Sequence, residues 1–385
     1  MLSRREFGKL ALASAPAATV LGGSGFFSAF AQTKPSSLIE GVQLGTITYS
    51  FRSMPDQSAE ATLKYIVESG ISAVELMGGP IESFGGAPAA GGGGGGGRGP
   101  AAADGPRGAR GGRGERGAMP AELPPGATRG AWNGTECVIP APNAARAGGG
   151  GGGGRGRGEA TPEQQAAQQE QAARLKAWRT SVSMDPFKKL RKMYNDAGVT
   201  IYATKILSAN MSDEEFEYVF NVAEALGATH TTLELLTNDE QLKRVGEFAM
   251  KKKIYAAYHT HAQGSMTAFD RAFELSKGNK ANVDFGHWVA AGNVGGTPMQ
   301  FLEKHHDRIA SFHLKDRTTP QHCSLNLAWG TGETPIKEIL QLVKKNQWKI
   351  PASVELEYEI PEGSDAVKET RKCVEYCRTA LTART

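Results

Sequence analysis

Four apolar runs in this chain break off in side chains that bind metals and move protons. IYAAYHTH ends in His259 and His261, NVDFGHW in Asp284 and His287, ASFHLKD in His313 and Lys315, and ASVELEYE in Glu355 and Glu357. Carboxylate oxygen and imidazole nitrogen are what a divalent ion of intermediate hardness takes as ligands. A buried strand has to surface somewhere, and one polar ending would mean no more than that. Four endings in succession, each with a metal-capable residue, suit a site at the mouth of a parallel barrel.

Such a site needs strands to aim these residues and helices to return the chain. Strands are expected at QLGTITYS, SAVELM, VTIYATK, THTTLEL, IYAAYH, ANVDF, IASFHL and ASVELE. Helical spacing lies between them. Ser212 and Glu215 form a capping box ahead of Phe216, Val219, Phe220, Ala223 and Leu226. Asn238 and Gln241 cap the next helix, and Pro298 and Pro335 sit at first turns of later ones. Eight strand–helix units predict a (β/α)8 TIM barrel, an α/β fold of about 250 residues in its usual form. A doubly wound sheet would carry a glycine fingerprint in its first turn, and GTITYSFRS has none. The barrel is expected over 41–385, interrupted after its second strand by a Gly- and Arg-rich low-complexity insertion over 85–161. Two runs of seven glycines mark that insertion as a chain that gains too little from burial to order itself. One island, AWNGTECVIPAP, has the composition to order. An insertion after strand two emerges on the face where barrel enzymes work.

The ends and the charge bound the setting. Ser3-Arg4-Arg5-Glu6-Phe7 reads as a twin-arginine export signal occupying 1–31, with Ala29-Phe30-Ala31 as the cleavage site. Its apolar stretch is too short to anchor in a bilayer, so no stable membrane insertion is expected. The expected partner during secretion is the twin-arginine machinery, and the expected location is the periplasm or outside. The formal charge of +4 misleads, because 85–160 alone holds nine Arg against five acids. The N-terminal segment adds a further +2 (Arg4, Arg5 and Lys9 against Glu6), so the remainder is slightly acidic, near −2, which argues against nucleic acid as a partner. Four cysteines make no disulfide scaffold. Cys373 and Cys377, one helical turn apart, read as packing, and nothing in the sequence pairs Cys137 with Cys323.

Taken together, the barrel pattern, DFGHW, FHLKD and VELEYE resemble the xylose-isomerase-like TIM barrels, the sugar phosphate isomerases/epimerases. The resemblance covers 41–385 apart from the insertion and rests on the order of the motifs. It implies one divalent metal, manganese first, with zinc, cobalt or magnesium as alternatives. Mapped by strand end, it implies Asp284, His313 and Glu355 as ligands, with His259 where many members have Glu. Glu357 shares a face with Glu355, which is preferred as the first acid after the apolar run.

On those residues the implied chemistry is enolisation of a carbohydrate. A bound dication stabilises an enediolate as a Lewis acid. Glu355 is the expected base, with His287 and Lys315 as the other catalytic groups. His261, Trp288 and Arg317 are expected to bind substrate, Trp288 by stacking on a sugar ring. Each has a plainer reading: His287 could cap its loop, and Lys315-Asp316-Arg317 could be a solvated charge cluster. Glu75 and Glu234 read as salt-bridge partners at the barrel rim rather than catalysts. The function expected is a metal-dependent sugar isomerase or epimerase. The runner-up is a lyase or hydratase acting on keto-sugars or keto-glycosides. A non-catalytic carbohydrate-binding barrel is the alternative from another class.

Overall fold

The computed structural model describes residues 34–89, 123, 125–139 and 161–383. Eight parallel strands close into a barrel. They are β1 (Val42–Ile47), β2 (Ala73–Met77), β3 (Thr200–Lys205), β4 (His230–Glu234), β5 (Tyr255–His259), β6 (Asn279–Asp284), β7 (Ile309–Leu314) and β8 (Ala352–Val354). Each pairs with its neighbours in chain order, and β8 closes on β1. All eight expected strands are present, and the expected TIM barrel is the fold. The segment 1–31, expected to be an export signal, lies outside the described residues, as do 90–122 and 140–160 of the insertion.

Most of the helices start where a side chain satisfies one of their first N–H groups. They are α1 (Ala59–Glu68), α2 (Gly78–Phe84), α3 (Pro162–Arg179), α4 (Asp185–Asp196), α5 (Asp213–Leu226), α6 (Asp239–Lys252), α7 (Asp270–Leu275), α8 (Phe285–Ala290), α9 (Pro298–His305), α10 (Ile336–Asn346) and α11 (Ala366–Thr382). Ser212 and Glu215 form the expected capping box on α5, and Asn238 accepts from the Gln241 amide at α6. The α10 helix begins at Ile336, just after the Thr334-Pro335 signal.

Strand residues alternate between the helical shell and the barrel interior. On β7, Phe312 and Leu314 join the apolar core while Ser311 and His313 meet polar groups of other strands. This interior is polar from its floor upward. His230 Nε2 lies 2.9 Å from Ser311 Oγ, which donates to Asn282 Oδ1, and the Asn282 amide lies 3.3 Å from Glu75 Oε2. His230 is thus a structural residue of the barrel floor.

The island of the insertion forms a two-stranded hairpin, Thr128–Trp132 with Thr135–Ile139. A disulfide between Cys137 and Cys323 ties it to the loop after β7, and Trp132 lies 4.7 Å, ring to ring, from His322. The sequence left these two cysteines unassigned. Cys373 and Cys377 are free thiols packed in the core.

Gly286 links fold to site. A Cβ there would stand 2.2 Å from Lys315 Cγ, whereas one on Gly79 would meet nothing within 4 Å. Gly286→Ala is expected to destabilise the protein by about 1–3 kcal/mol through overpacking. Gly79→Ala is expected to be neutral or slightly stabilising, and urea midpoints measured side by side decide this.

Candidate active site at the C-terminal mouth of the barrel

The parallel register sets the site. His313 pairs with Asp284 across β7 and β6, and Glu234 with His259 across β4 and β5. Odd and even positions alternate faces, so the inward residues at these strand ends arrive at one level. His259, Asp284, His313 and Glu355 each offer a ligand atom, all within 4.8 Å of one another, and all four are buried.

His313 is the most constrained of them. Its Nε2 donates to Glu75 Oε2 at 2.7 Å and its Nδ1 to Glu355 Oε2 at 2.8 Å. Burial alone would push the imidazole down, but the Glu75 and Glu355 carboxylates outweigh it and raise His313 to about 10. Glu75 answers in kind. Burial favours its neutral form, yet His313 in contact holds the carboxyl down at about 2. Thr232 donates to Glu75 Oε1 at 2.6 Å.

Lys315 supplies the second cation. Burial works against its charge, but Asp284, Glu355 and Glu357 surround it and raise its pKa. Its Nζ lies 3.0 Å from Asp284 Oδ2, 3.0 Å from Glu355 Oε2 and 2.7 Å from Glu357 Oε2. Burial pushes the Asp284 carboxyl up despite Lys315, while Lys315 and His313 hold Glu355 well below the carboxylate range. Asp284 Oδ1 also accepts from the His287 amide at 2.7 Å, which makes Asp284 the cap of α8.

The donor set fits a divalent ion. Two carboxylates and two imidazoles are the mixed O/N ligation such ions take, provided His313 gives up the Nδ1 proton it shares with Glu355 and keeps Nε2–H on Glu75. Buried His259 Nδ1 has no hydrogen-bond partner, and Asp284 Oδ2 has only its ion pair with Lys315. Burial, then the nearby Lys205 and His313 charges, keep the His259 imidazole neutral, the form that ligates. Unpaired buried polar atoms are costly, and an ion bound there would satisfy both. Such an ion would share Asp284 and Glu355 with the Lys315 ammonium.

The remaining expected residues divide. His287 and Arg317 lie at the mouth, Arg317 Nη1 2.6 Å from His287 Nδ1. His261 is one-third exposed, with Nδ1 3.3 Å from Glu234 Oε2, and Glu234 also accepts from Lys205 at 2.8 Å. Trp288 is a correction. Its side chain is wholly buried, its indole N–H donates to Gly296 O, and its ring packs on Phe301. The turn into α8 sends it outward to the core, so it has no face for a sugar.

Glu75 is a second correction, because it is no rim residue but the fully buried partner of His313. Glu234 does pair with a cation, as expected. Lys315 and Asp316 are buried and not a solvated cluster: Asp316 caps the loop after β7, accepting from the amides of Gly330, Thr331, Gly332 and Thr334. Sequence reasoning missed Asn282 and Lys205. The spacing of Asn282, two before Asp284 and so on the same face, was a usable signal.

A family model described as a xylose isomerase-like TIM barrel matches residues 171–378. The chain belongs to that family. No curated protein matches the chain. Among solved structures it resembles the probable 3-DHS dehydratase AsbF involved in petrobactin synthesis from Bacillus anthracis. The two are 12% identical with a TM-score of 0.51, over 89% of this chain and 100% of that one. A xylose isomerase domain protein from Alicyclobacillus acidocaldarius has 12% identity and a TM-score of 0.50, over 89% of this chain and 100% of that one. A sugar phosphate isomerase/epimerase from Parabacteroides distasonis has 14% identity and a TM-score of 0.48, over 87% and 95%. At these identities the likeness is one of fold.

The His313 clamp makes stability depend on pH with a definite sign. A group raised from about 6.5 to about 10 contributes fully below pH 6.5 and loses its contribution as pH rises through 10. Metal-free protein is expected to lose stability between pH 7 and 10. His313→Gln is expected to be less stable at pH 7 and to show a flatter profile over that range. Urea unfolding at stepped pH reads both.

Proposed function

We propose that this chain is a metal-dependent isomerase or epimerase acting on a sugar or sugar derivative through an enediolate-type intermediate. The observation that carries it is the buried quartet of His259, Asp284, His313 and Glu355, with its unpaired His259 Nδ1, beside the Lys315 ammonium. A bound divalent ion, manganese first, would polarise the carbonyl and hydroxyl of the substrate. The chain's own residues do the rest. Glu355, held ionised, takes the proton from the carbon between them. Lys315 and His287 offer N–H donors to the oxygen where charge develops. His261, backed by Glu234 and three strands along the barrel from β8, returns a proton from another direction. Arg317 acts at the mouth rather than at the ion.

The second reading is elimination, as in a lyase or hydratase acting on a keto-sugar, which starts with the same proton removal. It is favoured by His259, because strand five offers imidazole and no second carboxylate for return of the proton. A non-catalytic sugar-binding barrel would have little use for a dense set of buried ionised groups.

We also propose that the protein is exported through the twin-arginine route into an oxidising compartment. The Arg4-Arg5 motif and the Cys137–Cys323 disulfide support this together. Cell fractionation of the full chain beside an Arg4→Lys/Arg5→Lys variant tests it, and unchanged location of the variant would sink it.

Protein purified without added metal is expected to hold, or take up, about one divalent ion per chain, lost in Asp284→Ala/His313→Ala. With that ion, keto-sugars should exchange a carbon-bound proton with deuterated water. Glu355→Gln should slow the exchange by about 100-fold or more. Exchange with recovery of an isomer supports the first reading, and exchange with loss of water or an alcohol the second. A folded protein that binds sugar with unchanged affinity in Asp284→Ala/His313→Ala, and never exchanges, is a binding module.

A further inference from the structure

Arg317 touches neither Glu355 nor His313, yet its side chain ends on His287. Its Nη1 lies 2.6 Å from His287 Nδ1. A guanidinium has five donors and no acceptor. Nδ1 is therefore the accepting nitrogen and carries no proton, which leaves the ring proton on Nε2. The contact between Lys315 Nζ and His287 Nε2, at 3.2 Å, taken alone would make Nε2 the acceptor, because an ammonium also only donates. The three Lys315 protons have nearer partners in Asp284, Glu355 and Glu357, at 3.0, 3.0 and 2.7 Å, so the shorter Arg317 contact decides the tautomer. Both face Glu357 Oε2, Lys315 Nζ at 2.7 Å and His287 Nε2 at 3.9 Å. Two N–H groups thus converge on one side of the mouth.

The support of Arg317 runs outward to the insertion. Its backbone N–H donates to Thr334 Oγ1 at 3.0 Å, and its Nη2 donates to the Ser324 carbonyl. Ser324 Oγ in turn donates to Ala290 O at 2.9 Å, at the end of α8. Cys323 and Ser324 both have positive φ, 71° and 47°, a left-handed pair without glycine. Backbone of that kind costs energy and persists where its surroundings hold it. What holds it includes the bond from Cys323 to Cys137, the Trp132 ring against His322, and the 2.8 Å contact of His322 Nδ1 with Glu333 Oε1.

We infer that Arg317 is a positioning residue that fixes His287 as its Nε2–H tautomer, and that the disulfide-tethered hairpin braces the turn from which Arg317 is held. What the Nε2–H group serves, donation to a developing oxyanion, rests on the proposed function. The tautomer and its support do not.

The test uses the full chain labelled with 15N-histidine, with tautomers read from long-range proton–nitrogen correlations and His287 assigned by His287→Gln. Wild-type protein is expected to show His287 protonated at Nε2 alone. Arg317→Met, which removes the donor, is expected to shift the ring to a mixture of tautomers or to Nδ1–H. Arg317→Lys, which keeps a donor, is expected to retain more of the Nε2–H form than Arg317→Met. Cys137→Ser/Cys323→Ser is expected to give a mixture. A wild-type ring protonated at Nδ1 overturns the proposal, even if Arg317→Met does not fold. So does an unchanged tautomer in folded Arg317→Met. An unchanged tautomer in the double serine variant overturns the brace. Absence of sugar proton exchange would sink the catalytic reading and leave this spectrum untouched, so the two failures are distinguishable.

Discussion

An imidazolium clamped between two buried carboxylates organises the interior of this barrel. Glu75 comes from β2, His313 from β7 and Glu355 from just past β8, so one three-residue bridge spans the pore. Burying three ionisable groups is costly, and breaking such a set by removing one member costs about 3–5 kcal/mol, because it strands the others. The neighbours follow from that demand. Thr232 and Asn282 occupy the remaining positions around Glu75, Ser311 donates to Asn282, and His230 holds Ser311 in turn. Lys315 takes up the carboxylates that His313 cannot reach.

This arrangement gives the mouth a preorganised field rather than a set of mobile side chains. The groups sit on strands or within three residues of their ends, and each strand is fixed by ladders on both sides. Carboxylates held ionised, a neutral imidazole at His259 and an ammonium are placed before any ligand arrives. Catalytic power in such sites comes largely from dipoles and charges that need not reorganise. The polar column beneath, from the barrel floor to Glu75, extends the same rigidity downward in place of the usual apolar filling.

Most of the barrel was legible because a strand buried on both faces has to end in something polar, and here every ending is chemical. Asp284, His313 and Glu355 could be named because each stands where an apolar run ends, and the family resemblance, mapped by strand end, then implied them as ligands. Trp288, expected to stack on a sugar, was misread because α8 begins at Phe285 and its turn carries the indole into the core. Glu75 was underrated because its partner, His313, lies 238 residues away. No local pattern carries that contact. The pairing of Cys137 with Cys323 was likewise invisible, since it depends on a hairpin that folds back from the insertion onto a loop of another strand.

That hairpin has a topological consequence. The disulfide closes a ring of chain with a sequence separation of 186 residues, which contains strands β3 to β7. A crosslink of that span removes about 5 kcal/mol of conformational freedom from the unfolded chain in the loop-entropy account. It also changes what a break in the chain means. A single cut anywhere in 140–160 falls inside the ring, so the piece carrying β1, β2 and the hairpin stays covalently joined to the piece carrying the rest of the barrel. The glycine-rich tract can be nicked there without the two parts of the active site coming apart.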